Sequence, residues 1–353
     1  MGGTMLKKTS KLLGATAIAL ALTMPATVVK AEETISVIYN APKKSALEKA
    51  AKKFIKESNK MLAGTAKFKR VKKVRKKKKL KKANSDKKAA KFVKKAKADI
   101  VIVSSDMAKA VRAPLAIFEM PWLVTNSVEA EMLHDKKKGI LKKIKRASSR
   151  GKFVLVGTMN RGFGYLATYK KPFTKPSDLK GLWINTDNSG YVKKSLKAYG
   201  AKYGVLDGMI ASLKTIAKKR KSYMAAPKYV SNVPMTYTPA LILFGKKNKK
   251  MKKLFMTSYM KKGKKRWKFN ENGKKLIKAA KKASKLSWKL ATENDQKAWA
   301  KIMKKKKIKV QKIDLNAFRK ASGKVYRHFE GNVNGAFGTM QQVRKITGVM
   351  AGS

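Results

Sequence analysis

Apolar and polar positions alternate from Ile35 to Tyr39, which predicts a strand that ends at Asn40-Ala41-Pro42. Leu47, Ala51, Phe54 and Ile55 then recur at helical spacing and predict an amphipathic helix. Ala89–Val93 reads as a second helical piece. Ala98 to Val103 is a short apolar run broken only by Asp99, the pattern of a strand buried on both faces, as in a parallel sheet. Residues 117–124 are apolar but contain Pro121, so they predict a loop or a strand edge rather than a helix. Val128–Ile144 predicts an amphipathic helix, and Phe153–Val156 a second buried strand. Residues 172–184 predict a turn leading into a third strand, and Ala240–Phe244 a fourth. Leu276–Met303 predicts a long helix carrying Trp288 and Trp299. Strands alternating with helices give an α/β sheet protein. No internal repeat and no linker rich in Gly, Pro or Ser interrupts the pattern.

Charge changes the picture more than length does. The 353 residues suffice for two α/β lobes with a sizeable core, and the 43% hydrophobic content is ordinary. Against 19 acidic residues, however, stand 88 Lys and Arg, a formal charge of +69. Such a field opposes compaction and attracts any polyanion without specifying a fold. Residues 67–82 hold 12 basic residues in 16, with Val71, Val74 and Leu80 the only aliphatic ones. A nucleic-acid patch and a solvated face both fit that run, but no nucleic-acid motif accompanies it. Nonspecific adhesion to polyanions at low salt is expected, and specific nucleic-acid binding is not.

The N-terminus reads as an export signal. Lys7, Lys8 and Lys11 precede an apolar stretch from Leu12 to Val29, and Val29-Lys30-Ala31 has the small-x-small form of a cleavage site. Residues 1–31 are thus expected to be removed, leaving Glu32 first and a charge of +65. A membrane anchor is the competing reading, since the run approaches spanning length.

Catalytic chemistry finds little footing. Cysteine is absent, so no disulfide or thiolate metal site exists. His134 and His328 lie on lysine-rich, helix-like stretches and are expected to be exposed. No zinc-protease, nucleophile-elbow or phosphate-loop motif occurs, and carboxylates are too sparse for paired acid–base work. No enzyme activity, metal or cofactor is expected.

Several ordered blocks carry a resemblance: KADIVIVSS (97–105), FEMPWLV (118–124), GFGYLATYKKP (162–172), PSDLKGLWI (176–184), KYVSNVPMTYTPALILFGKK (228–247) and TENDQKAWAKIM (292–303). From about Ile35 to the C-terminus the chain resembles the substrate-binding component of tripartite ATP-independent periplasmic (TRAP) transporters, the DctP-like family. The resemblance implies a periplasmic, type II-like two-lobe α/β binding protein. Each lobe would have a mixed sheet with helices packed around it, and crossing segments would form a hinge. Lobe 1 would comprise 32–156 with about 240–270. Lobe 2 would comprise 157–239 with part of 271–353, the C-terminal helices spanning both. The implied function is capture of a small organic solute, a carboxylic acid among the candidates, and delivery to integral membrane subunits. The alternative is a basic protein that binds polyanions or membrane surfaces, with a vestigial cleft.

Two departures bear on the ligand. Relatives that bind carboxylates carry an Arg after Gly-Phe and another after Asp-Leu-Lys-Gly-Leu, where this chain has Gly164 and Asn185. Arg161 is a partial substitute, because a guanidinium holds carboxylates in a planar fork. Asn185 offers both donors and an acceptor. Ser104 and Ser105, and Tyr39 and Asn40, follow strands at the ends where α/β sheets bind ligands; the serines would equally serve as helix caps. Phe163 and Tyr191 are candidates for an apolar pocket wall. Tyr165, Trp183, Trp122, Trp288 and Trp299 are expected in the core, and Asp178 and Asp207 in turns. By the same resemblance, about a dozen residues that relatives carry between 222 and Lys228 are absent from this chain.

Overall fold

The alternation at Ile35–Tyr39 does form a strand, the first of fourteen among the described residues. The computed structural model describes residues 31–349, apart from 77–78, 83–90, 92–94, 96, 106–112, 135–139, 141–152, 187–189, 219–226, 306 and 334. The strands are β1 (Glu33–Tyr39), β2 (Ala66–Arg70), β3 (Lys73–Lys76), β4 (Lys79–Lys82), β5 (Ile100–Ser104), β6 (Phe153–Thr168), β7 (Trp183–Asn185), β8 (Lys202–Tyr203), β9 (Gly208–Ala211), β10 (Tyr229–Ser231), β11 (Thr236–Gly245), β12 (Met256–Lys261), β13 (Lys264–Phe269) and β14 (Lys309–Gln311). The helices are α1 (Ala46–Met61), α2 (Ser127–His134), α3 (Gly190–Ala198), α4 (Leu213–Ile216), α5 (Lys249–Phe255), α6 (Glu271–Met303), α7 (Leu315–Asn332) and α8 (Ala336–Thr347).

One mixed sheet runs β2-β1-β5-β11-β6-β9-β7-β8, with β10 and β14 branching from β6. β1 pairs in parallel with β2 and β5, whereas β11 is antiparallel to both β5 and β6. β6 is long enough to serve both halves of the sheet. Phe153–Gly164 pairs with β11, and Tyr165–Thr168 pairs with β9. The mixed sheet of each half is thus joined to the other in one hydrogen-bonded ladder through a 16-residue strand, of which Phe153–Val156 was legible in the sequence.

Local chemistry explains the helices. Ser45 caps α1, accepting from the Glu48 amide at 3.1 Å, while the Glu48 carboxylate accepts from the Lys44 amide at 2.6 Å. Leu47, Ala51 and Phe54 face the core as their spacing predicts. Asn270 caps α6 through a 2.9 Å bond from the Gly273 amide. A stripe of Ala279, Ala280 and Ala283 lets α6 lie close against β6. The contact is tight enough that a Cβ on Gly157 would sit 2.9 Å from the Ala280 Cβ.

Three buried clusters result. One lies under α1, with Val37, Tyr39, Phe54, Ile102, Phe244 and the first half of α6. A second joins Val101, Val103, Phe118, Phe163, Tyr165, Met209, Tyr191 and Tyr326 with the last turns of α6. A third holds Trp122, Leu166, Phe173, Ile184 and Phe318. Residues 118–124 connect the second and third clusters. They follow a 3-10 turn over Ala113–Glu119, not a strand edge. Trp122 adopts a left-handed φ of 58° there. Its amide donates to the Met235 carbonyl, its indole to the Tyr199 hydroxyl, and its own carbonyl accepts from Arg319. Strained backbone persists where surroundings fix it this thoroughly.

The export-signal prediction at 1–31 and the helix at Ala89–Val93 fall largely outside the described residues. The helix predicted over Val128–Ile144 is described as α2 as far as His134, and most of its remainder falls outside the described residues. No helix among the described residues is long and apolar enough to cross a membrane.

Candidate functional site

The regular ladder breaks where three central strands meet. Asn160 faces Pro239 and Phe163 faces Tyr237, so Arg161 and Gly162 together oppose the single residue Thr238. This is a β-bulge, and Gly162 takes the φ of +111° that it requires. Pro239 has no amide hydrogen to give, so the ladder is interrupted from both sides.

Asn160 organises the break. Its side-chain oxygen accepts from the Gly162 amide at 2.7 Å, and its own amide donates to the Ser287 hydroxyl of α6 at 2.9 Å. Asn160 is 1% exposed, and its side-chain nitrogen has no hydrogen-bond partner among the described residues. Ser104 and Met159 both pair with Ala240, so Ser105 and Asn160 are the next residues on either side of Pro239. Two strand spacings separate them, about 10 Å. Ser105 is fully buried, and its hydroxyl likewise has no partner among the described residues. Buried polar atoms are nearly always bonded, so two such groups at one break call for an explanation.

An aromatic wall adjoins the bulge. Phe163 lies 5.1 Å from Tyr237, which also contacts Phe118, His134 and Trp288. His134, expected to be exposed, is instead boxed in by these rings and bonded at both nitrogens: Nδ1 to the Thr158 hydroxyl and Nε2 to that of Tyr237, each at 2.8 Å. Burial pushes its pKa down to about 3, so the ring is neutral at physiological pH. Its lysine-rich sequence neighbours gave no sign of this.

The other expected site residues fall into separate places. Tyr39 turns away from this wall into the cluster under α1, its ring 4.0 Å beneath the Arg70 guanidinium and its buried hydroxyl without a partner among the described residues. Asn40 and Ser104 follow and end β1 and β5 beside it. Arg161 is exposed on the bulge, and Asn185 is half-buried at the end of β7. These two are well separated on the sheet. Asn185 pairs with Met209, which pairs with Ala167, so it is two strands across and six residues along from Arg161, roughly 10 Å by 20 Å. Tyr191 is buried against Phe329, 5.5 Å from it.

At Gly164 a Cβ would collide with Oγ1 of Thr236, so a larger residue here requires that side chain to turn aside. Trp183, expected in the core, is 39% exposed, because β7 lies near the sheet edge and only the two-residue β8 shields it. Asp178 and Asp207 do serve turns, accepting from the Thr174 and Trp183 amides. His328 is exposed, as expected, beside Lys194. Asn160 was missed altogether; the Asn-x-Gly step inside a strand-like run was the available signal. Among the described residues no cluster of His, Cys, Asp or Glu could hold a metal.

The stretch containing β1, β5, the bulge and β11 is also the stretch that a family model recognises. Residues 37–243 match DctP, the bacterial extracellular solute-binding proteins of family 7. The chain belongs to this family. Solved structures with the same fold include a TRAP periplasmic solute-binding protein from Sulfitobacter sp. NAS-14.1 with bound β-D-galacturonate. It is 15% identical, with a TM-score of 0.70 over 89% of this chain and 100% of that one. Another, from Sulfurospirillum deleyianum DSM 6946 with bound succinate, is 19% identical, with a TM-score of 0.66 over 91% and 100%. A third, from Ochrobactrum anthropi with its C-terminus bound in the ligand-binding pocket, is 16% identical, with a TM-score of 0.72 over 91% and 97%. No curated protein matches the chain. The two-lobe α/β architecture of these family 7 proteins is thus the fold of this chain, and binding a solute is the family's role.

Proposed function

We propose that this protein is the extracytoplasmic binding component of a TRAP-type transporter, capturing a small organic acid between its lobes and passing it to integral membrane subunits. The observation that carries this reading is the pair of buried polar groups without a partner among the described residues, the Asn160 side-chain nitrogen and the Ser105 hydroxyl, at the break in the central ladder. A guest with carboxylate or hydroxyl oxygens would satisfy both, and the Phe163–Tyr237 wall would cover its apolar side. Relatives of this fold hold galacturonate and succinate, which have such oxygens. With no arginine at Gly164 or Asn185, Arg161 is the cation nearest to Asn160 along β6. The donors at the break are otherwise neutral, which favours a hydroxy acid over a dicarboxylate.

In this reading residues 1–31 direct export and are cleaved before Glu32. Lobe 1 is 32–156 with about 240–270; lobe 2 is 157–239 with part of 271–353. Hinge closure encloses the guest, with Asn40, Ser104, Asn185 and Tyr191 on the closing surfaces. Family membership favours this over a polyanion-binding protein with a vestigial cleft.

The test is a thermal-shift screen against hydroxy acids, dicarboxylates, amino acids and sugars at roughly 0.3 M salt, where exposed charges are screened. One class should stabilise the protein, and Asn160→Ala and Ser105→Ala should each abolish the shift. Stabilisation by heparin or polyphosphate alone would reject the proposal.

A further inference from the structure

The hairpin of β12 and β13 stands outside the ten-stranded sheet as a two-stranded ribbon of its own. It is closed by a two-residue turn in which Lys262 and Gly263 take positive φ values of 51° and 65°. Residues 256–269 contain six basic side chains and no acidic one. Its root is anchored: Phe269 stacks edge-on against Phe244, and Met256 packs on the cluster under α1. Beyond the root every residue is exposed, including Tyr259, Met260 and Trp267, the last two at 66% and 37%.

The register sorts these side chains. Ser258 pairs with Trp267 and Met260 with Lys265, so Trp267 and Met260 continue the face that begins with the Met256–Phe269 pair. Tyr259 pairs with Arg266 on the opposite face. Ammonium groups lie close to the exposed rings: Lys252 at 4.9 Å and Lys265 at 5.9 Å from Trp267, and Lys268 at 5.7 Å from Tyr259. A lone two-stranded ribbon is marginal in water. This one exposes aromatic and thioether surface at mid-length and concentrates positive charge at its tip.

We infer that the β12–β13 hairpin docks the protein on an anionic phospholipid surface, with Trp267, Met260 and Tyr259 entering the headgroup layer and the tip lysines pairing with lipid phosphates. Charge complementarity selects an anionic partner. The interleaved Trp, Tyr and Met select a bilayer interface over a purely polar polymer, because amphipathic rings and long basic stems settle where apolar and aqueous regions meet. Such docking would hold the protein in the plane where a membrane transporter is found. It does not depend on the solute site.

Because the whole chain is basic, the test must be local. Hydrogen exchange of the full chain would be followed with and without vesicles of phosphatidylglycerol and phosphatidylcholine (1:3) at physiological salt. Amides of residues 256–269 should slow at least fivefold on these vesicles and not on pure phosphatidylcholine. Lys262→Glu with Lys265→Glu should remove the protection, and Trp267→Ala should reduce it at least threefold. The charge-matched control Lys278→Glu with Lys285→Glu, on the exposed side of α6, should leave it intact. Absence of protection, equal loss in the control, or equal protection by heparin with no effect of Trp267→Ala would each overturn the assignment.

Discussion

Nε2 of His134 and the hydroxyl of Tyr237 lie 2.8 Å apart inside the aromatic wall, and Thr158 closes the opposite side of the imidazole. Both hydroxyls can donate or accept, so these bonds fit either protonation state, and it is burial that keeps the ring neutral. The folded pKa, about 3, lies below the unfolded value of 6.5. The unfolded chain therefore takes up the proton first. The stability this ring contributes is complete above pH 6.5 and is lost as pH falls toward 3, at about 1.4 kcal/mol per pH unit. Urea titrations of the protein and of His134→Gln between pH 7 and 5 should show this slope in the former and not in the latter.

Asp295 titrates with the opposite sign. It is half-buried on α6 beside Tyr165, and burial pushes its pKa up to about 6 from 3.8. Its contribution is complete below pH 3.8 and lost as pH rises through 6. Asp295→Asn should therefore stabilise the protein at pH 7.5 by about 1–2 kcal/mol after allowance for solvent screening, with the gain vanishing near pH 4. Equal stability of the two proteins at pH 7.5 would contradict this.

Gly157 is required by the approach of α6. Gly157→Val would press two methyl groups against Ala280, whose Cβ already lies 2.9 Å from where a Cβ would be. A loss of about 1–3 kcal/mol is expected, typical of overpacking. Ala280→Gly in the same chain should recover part of it, and a double-mutant cycle of urea midpoints would measure the coupling.

Asp99 ties β1 to α5. It accepts from the amide and hydroxyl of Ser36, from Asn248 and from Lys250, each at 2.8–2.9 Å. Burial alone would raise its pKa, but these four donors outweigh burial and lower it. Asp99→Ala leaves the buried Asn248 donor unmatched and should cost about 2–4 kcal/mol, read from chemical denaturation. A solute response that survives this variant would show that Asp99 is structural.

Legibility in the sequence followed burial. β5 and β11 were readable because both faces are buried and their residues are continuously apolar, and α1 because one face is. The rest of β6, after Val156, was not: Gly157, Asn160, Gly162 and Gly164 are there for close packing, the bulge and clearance for Thr236, none of which leaves a hydrophobic period. The β12–β13 hairpin was missed because it buries only its root, so no alternation sets it apart from the surrounding lysines. The family resemblance offered Arg161 and Asn185 as candidates, and register through Met209 sets them two strands apart. His134 was misjudged from its neighbours, because rings from three other segments, Phe118, Tyr237 and Trp288, enclose it.

α6 runs 33 residues without a break, about 50 Å, with its first half seated in one core and its last turns in another. A rod clamped at both ends resists bending. Rotation of the two halves about the sheet junction, as the proposed closure requires, would have to flex this beam or slip one of its seats, so the helix would set the limit of opening.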